Sequence, residues 1–575
     1  MGARSGKHGS WRGTSVGLLL GAGVFGLLPA PVSATTPVPA TFLVGTAAID
    51  ITPRAWPVHA AAYGIHTASK VQAGRRFMAR SIAVSAADGL MAHTVVLTVL
   101  DSQGYFIAYK EDPITDPGYF GTAGIRKKVM TDTGLDVEHV IIAATHTHNS
   151  PDSVGVWGGG QDANNEAYLQ VVRDGAIQSI ETALTNRQKA RLSVGMVDAR
   201  QYQDTLQEVR GDPATYPIDR LLRVLQARDN SGNVIATLVN YGDHGTVLGQ
   251  LVDTISPDWP GEVAYQLDAR WGRGTTIVVP GAVGRTWPNF PDQPKGTPWQ
   301  TYLATFGRLV VGKVDAALAR ARPVVDGTVS GAGVQFLEPI TDPVGPVLLD
   351  TKFCYPMTGV CGTMRSLAPP YLIGPAVIGT DLNALRVGDL FIGGAPAEAY
   401  PEISTELQSR VLAAAVCGEN RHVLALSLAN DQIGYTPTAD EYGVAVQYGS
   451  DEGLFSLNPV IGNDVINKQL ANARTLGFAT GPDYTQVQPI QPPPENNSPA
   501  PPFRDMSGPV PNCGVAGAST SASPQPTLGD SDRSSLPLTS AANPFVGVLA
   551  LLILLVIAAA GSVARASGRA DPGEG

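Results

Sequence analysis

The sequence predicts a layered α/β domain over residues 41–480, a mixed β-sheet core with flanking helices, followed by a disordered stalk and one C-terminal transmembrane helix. Three observations carry this expectation. Continuous Val/Ile/Leu runs alternate with amphipathic stretches of helical length through the body of the chain. Hydrophobic residues make up 43% and charged residues only 16%, which supplies ample core material. Past the body, the composition turns to Pro, Ser, Thr, Gly and Asn. The 40 basic residues are outnumbered by 50 acidic ones, which excludes a freestanding nucleic-acid binder, because a duplex needs a cation surplus to replace its counterions.

At the N-terminus, Lys7 and Arg12 precede an apolar, Gly-rich stretch from Val16 to Leu28, and Val32-Ser33-Ala34 offers the small residues at which a signal peptidase cuts. Residues 1–34 read as a secretory signal peptide. An N-terminal anchor is the alternative, but the apolar stretch is shorter than the ~20 residues a span needs. In the body, strands are expected at Ser81–Ser85, Thr94–Leu100, Val140–Ala144, Ala236–Asn240, Thr275–Val279 and Leu385–Ile392. Several are unbroken apolar runs, the pattern of strands covered on both faces. Helices are expected at Glu166–Thr185, Trp259–Arg270, Tyr302–Arg320 and Tyr400–Ala415. Asp258 as a cap, Pro260 in the first turn and Gly272 at the end delimit the second of these. There is no internal repeat, and the body fits one large domain or two closely packed ones.

Residues 486–543 are too poor in apolar side chains to offset the entropy of ordering and read as a stalk. Phe545 to Val563 carries no charge and, at ~1.5 Å per residue, reaches across a bilayer core. Arg565 and Arg569 follow it, so residues 564–575 are expected to be cytoplasmic and the body extracellular, anchored in the cell membrane. A processed anchor signal or a sorting signal is the alternative for this tail. Cys354, Cys361, Cys417 and Cys513 form an even set with no zinc-type spacing. Cys354 and Cys361 are nearest in sequence, which would leave Cys417 with Cys513, but four cysteines permit three pairings and the sequence does not choose.

Chemistry concentrates at strand ends. In VIIAATHTHNSP (140–151) an apolar strand runs into His146 and His148, two residues apart and so expected on one face of the strand end. Neutral imidazoles meeting at the mouth of an α/β sheet suit a metal ion. LVNYGDHGTVLG (238–249) delivers His244 in the same way. Of the other histidines, His93, His139 and His422 read as surface residues, His8 belongs to the signal, and His59 and His66 lie in an early loop.

A wider series of blocks then resembles the neutral/alkaline ceramidase superfamily. It comprises GTAAIDITP (45–53), ATHTHNSP, NYGDHGT, SPDWPG (256–261), VVPGAVGRTWPN (278–289), GGAPAEAYPE (393–402) and LANDQIGYTPTADEY (428–442), in the family's order. The resemblance implies a zinc-dependent hydrolase that cleaves an amide or related acyl bond of a lipid or N-acyl substrate. It implies that His146, His244, Glu398 and Tyr435 hold Zn2+ and that His148 lies on the substrate side. Two imidazoles, a carboxylate and a phenol leave zinc a position for water or a substrate oxygen.

The chain departs from the family where a serine needed for amide cleavage is expected. That position is Gly281, and a family aspartate is replaced by Arg285. Gly281 and Gly284 are expected to offer backbone N–H groups to an oxyanion. Arg285 is expected either to recognise an anionic substrate group or to mark a site that no longer catalyses. The family's substrate-contacting arginine corresponds to Arg200 or Arg210, and the family's immunoglobulin-like module is expected to be missing or replaced after Tyr442 and Tyr448. The alternative function is a catalytically inactive surface protein that binds a ligand in a retained zinc pocket.

Overall fold

Apolar side chains on alternate positions of the strands are buried on both faces, and this fixes a layered architecture. The structure, a computed structural model, describes residues 38–109, 120–155, 157–205, 218–289, 294, 296–341, 364–366, 376–412, 423–447 and 455–485. The signal, the stalk, the expected membrane span, all four cysteines, Arg210 and His422 lie outside the described residues. Among the described residues no helix is long and apolar enough to cross a membrane.

The larger sheet contains β1 (Phe42–Asp50), β2 (Met78–Ala86), β3 (Thr94–Leu100), β4 (Val140–Ala144), β5 (Gln188–Asp198), β6 (Leu221–Arg228), β7 (Val234–Tyr241) and β8 (Thr276–Pro280). Its order is β8-β7-β6-β5-β1-β2-β3-β4, with a short strand at Arg322–Pro323 added to β5. β3 with β4 and β7 with β8 are parallel, and the remaining pairs in that order are antiparallel. A second sheet, β9 (Val329–Ile340), β10 (Ala376–Val387), β11 (Leu390–Gly394) and β12 (Val423–Leu426), is also mixed, with β11 parallel to β12.

Val95, Leu97 and Val99 of β3 share one core with Leu385, Ile392 and Leu426 of the second sheet, so the two sheets pack face to face. On the other side of the larger sheet, Val96 and Leu100 meet helices α1 (Thr122–Thr133) and α2 (Ala163–Thr185). Val224 and Val239 meet α3 (Asp258–Trp271) and α4 (Trp299–Leu318). The outer face of the second sheet buries Leu382 and Phe391 against α5 (Pro401–Arg410) and α7 (Ile461–Thr475), and α6 (Ala439–Gln447) lies between these in sequence. The result is four layers: helices, sheet, sheet, helices. Each fully buried Leu, Ile, Val or Phe contributes roughly 1.5–3 kcal/mol.

The mixed α/β expectation holds, and the strands at Thr94–Leu100 and Val140–Ala144 have the bounds predicted. The single core sheet becomes two. The run Leu385–Ile392 is not one strand but the hairpin between β10 and β11, because Gly388 adopts φ +65° and turns the chain. The helix expected at Tyr400–Ala415 ends at Arg410, where Val411–Leu412 pairs with Ala479–Thr480 instead. Asp258 stands at the first residue of α3 rather than before it, with φ +49°, and its carboxylate accepts from Trp259 and Leu248 backbone N–H groups.

The segment leaving β12 ties the layers together. Asn430 bonds Ile142 of β4 in both directions, and the buried Asp431 accepts from Ile107 N–H, Gln432 N–H and the Thr380 hydroxyl. Burial pushes the Asp431 carboxyl up from 3.8 to about 7 against those hydrogen bonds. The folded chain therefore holds this proton more tightly than the unfolded one, and the associated stability is lost as pH rises through that window. Asp431→Asn is expected to flatten the dependence of Tm on pH between roughly pH 4 and 7, by on the order of a few kcal/mol at most. Thermal melts across that range check this, and an unchanged slope contradicts it.

Candidate metal centre

The site forms where β4, β7, β8 and β11 deliver their C-terminal ends. β4 stops at Ala144, so the strand alternation expected to align His146 and His148 does not reach them. His146 instead takes φ +60°, and this left-handed step brings both rings into the same space. A bridge from Thr147 to Gly245 and a bond from His148 N–H to the Gly245 carbonyl lock this turn to the β7 exit. Gly245 is required there, because a Cβ would meet the His146 carbonyl oxygen at 2.4 Å.

The ring centroids of His146 and His244 are 4.7 Å apart, as are those of His146 and His148. Ligand atoms of the three histidines all lie within 4.8 Å of one another, a group that can hold a metal ion. Glu398, just past β11, places Oε2 3.2 Å from His146 Nε2 and 3.2 Å from His244 Nε2. Tyr435 is the parallel register partner of Glu398 in a two-residue strand pair, which sets both side chains on one face. His146, His148, His244 and Glu398 are thus brought together, with Tyr435 beside Glu398.

The hydrogen bonding of these groups fits a cation at their centre. His146 Nδ1 lies 2.7 Å from the Gln103 carbonyl and His244 Nδ1 2.8 Å from the Thr286 carbonyl, an arrangement that leaves each Nε2 as the free lone pair. Gln432 Nε2 donates to Glu398 Oε1 at 3.1 Å. Buried His244 Nε2 and Glu398 Oε2 nevertheless make no hydrogen bond, although they are close. Two buried polar atoms without partners are costly, and a shared divalent ion removes that cost.

Electrostatics agree with this arrangement. Burial opposes charge on His146, yet the charge of the Glu398 carboxylate, with the Gln103 carbonyl, raises its pKa above the ordinary histidine value. Burial would lift Glu398, but His146 and His244 hold it well below the usual carboxylate range. Burial lowers His244, with Glu398 partly opposing. Burial, then the charges of His146 and His244, push His148 well below the ordinary imidazole value, so it is neutral at pH 7.

The remaining predicted residues sit outside the cluster. Gly281 N–H donates to the Tyr241 carbonyl at 3.0 Å and Gly284 N–H to the Ala399 carbonyl at 2.8 Å. Both donors are committed, so the oxyanion role expected of this loop has no free N–H at either glycine. A Cβ at Gly281 would meet Gly242 N at 3.0 Å, so this backbone approach leaves little room for the family's serine. Arg285 is buried between Glu402 and Glu441, with its guanidinium 4.9 Å from the Tyr400 ring centroid. Arg200 bonds the Gln203 carbonyl, and His59 pairs with Asp162 rather than with the cluster. Gln103, Thr286, Gln432 and Trp287 escaped the sequence reading. Two of them act through backbone carbonyls, which leave no side-chain signal. Trp287, stacked on His244 with centroids 4.5 Å apart and 2° between planes, and Gln432 lay within blocks whose individual roles were not read.

Fold and site together define a mixed α/β protein with a buried histidine–carboxylate centre suited to a divalent metal. No family model matches the chain. Neutral ceramidase of Pseudomonas aeruginosa is 23% identical over 384 residues, which cover 56% of this chain and 57% of that protein, less than two thirds of the relative's length. The crystal structure of neutral ceramidase from Pseudomonas aeruginosa matches with a TM-score of 0.56 at 19% identity, covering 81% of this chain and 77% of that one. A ceramidase complexed with C2 matches with a TM-score of 0.56 at 18% identity, covering 79% and 77%. The chain is thus similar to neutral ceramidases in sequence and in fold.

Proposed function

We propose that the chain is an exported, membrane-tethered, zinc-dependent hydrolase that cleaves the amide bond of a ceramide-like or other N-acyl lipid. The observation that supports it most is the pair of unpartnered buried atoms, His244 Nε2 and Glu398 Oε2, meeting beside His146 Nε2. His146, His244 and Glu398 would hold the ion, with Tyr435 completing the set. Bound there, zinc supplies a Lewis acid that polarises the scissile carbonyl and eases deprotonation of water. The chain's own residues do the rest. Gln103 and Thr286 fix the tautomers of the two histidines, and Gln432 orients the carboxylate. Neutral His148, 3.2 Å from His146 between Nε2 atoms, accepts the proton released during attack and returns it to the leaving amine. Export and tethering rest on the terminal sequences alone.

Gly281 in place of the family serine favours a second reading, a surface protein that binds a ligand in a retained metal pocket without turnover. Incubating the purified chain with zinc and short-chain fluorescent ceramides or N-acyl amino acids separates the two. The hydrolase reading expects product, lost in His146→Ala, and expects His148→Gln to keep the metal while losing turnover. Tight ligand binding without cleavage across amide, ester and lactone substrates selects the binder.

A further inference from the structure

A cavity of about 480 Å³ opens between the entry to β2 and the length of α3. Its lining gathers Arg75, Arg76, Arg80 and Arg273, against one lining carboxylate, Asp268. This is unexpected in a chain whose acidic residues outnumber its basic ones by 50 to 40.

Some of this charge is already bound. Arg75 sends Nε and Nη2 to a single oxygen, Oε2, of Glu262, and its guanidinium lies 3.6 Å from the centroid of the Tyr265 ring. Arg80 Nη1 bonds Asp268 Oδ2 at 2.8 Å and the Thr276 carbonyl at 3.1 Å. The capacity left over decides the matter. Arg80 Nε is buried without a hydrogen-bond partner. Arg76 donates Nη1 to the Arg75 carbonyl at 3.0 Å and reaches Asp50 at 3.5 Å, with its side chain 54% exposed. Arg273, just past the end of α3, has no ion pair or hydrogen bond among the described residues. Asp268 cannot neutralise them further, since it also accepts from the Gly274 and Thr276 backbone N–H groups.

We infer that this cavity binds a phosphomonoester, a site independent of the metal centre. A doubly charged tetrahedral anion matches the planar fork of arginine, which presents paired N–H donors to two oxygens at once. Clustered cations in a recess with protein walls raise the local concentration of such an anion. The recess has room for more than a bare phosphate, so an organic body can accompany the anion.

The test is calorimetric titration of the full chain with glycerol 3-phosphate and with inorganic phosphate, alongside sedimentation with phosphatidylcholine vesicles with and without phosphatidic acid. Wild-type protein binds glycerol 3-phosphate, and the double variant Arg76→Ala/Arg273→Ala binds it at least about tenfold more weakly while keeping its melting temperature and metal content. Both substitutions lie at the more exposed arginines, so folding is spared. Binding of the soluble ester with no retention on phosphatidic acid vesicles beyond that on phosphatidylcholine alone assigns a free phosphate ester. Added retention on phosphatidic acid vesicles, displaced by glycerol 3-phosphate and lost in the variant, assigns a lipid headgroup, and either result upholds the site. Absence of binding by all probes, or equal binding by wild type and variant, overturns it.

Discussion

His244→Ala is expected to lose the bound divalent ion and to lower hydrolysis of an N-acyl substrate by about 10³-fold or more. The estimate follows from the several kcal/mol of transition-state charge stabilisation that a bound metal supplies, at 1.36 kcal/mol per tenfold in rate. His244 occupies the centre of the arrangement. Its Nε2 meets Glu398, its Nδ1 is fixed by Thr286, its ring lies flat on Trp287, and its carbonyl accepts the Trp259 indole N–H at 2.6 Å. Truncation removes a ligand without disturbing the backbone that carries it. Metal content by elemental assay and turnover are read on the same preparation. Full turnover with the ion absent would show that the centre is not where hydrolysis happens.

The second large effect falls on stability. Arg285 is fully buried and divides its guanidinium between Glu402 and Glu441. Burial disfavours its charge, but the two glutamates raise its pKa well above the usual arginine value. Burial pushes Glu402 up to about 7 although Arg285 opposes this. One cation thus serves two largely buried carboxylates. Arg285→Met leaves them uncompensated and is expected to cost about 3–5 kcal/mol, whereas Arg285→Met/Glu402→Leu/Glu441→Leu recovers most of the loss. Urea midpoints measure both. A single variant as stable as wild type would mean that the triad contributes nothing to the fold.

Arg285 also marks the limit of what the sequence discloses. It stands where a family aspartate is expected, so a substrate role was a fair expectation, but its partners lie 117 and 156 residues away and nothing local announces them. The strands β3 and β4 were legible because they are unbroken apolar runs, buried on both faces. The division of the core strands between two sheets was not, since apolar strands of either sheet have the same period and composition. The three histidines were read from the strand ends that deliver them and Glu398 from motif order, and the structure places Glu398 against His146 and His244. The strand alternation invoked for His146 and His148 ends two residues too early, and a left-handed residue does the work. The carbonyls of Gln103 and Thr286, which hold the imidazoles, belong to the backbone and have no residue signature.

Zinc K-edge absorption spectroscopy of the purified full-length chain, loaded with zinc and freed of excess ion, examines the centre most directly. One ion per chain is expected, bonded to two imidazole nitrogens at roughly 2.0–2.1 Å and to oxygen, with no stoichiometric zinc retained by His244→Ala. A chain that retains no stoichiometric zinc, or an ion whose spectrum carries no imidazole contribution, would contradict the gathering of His146, His244 and Glu398 around one metal.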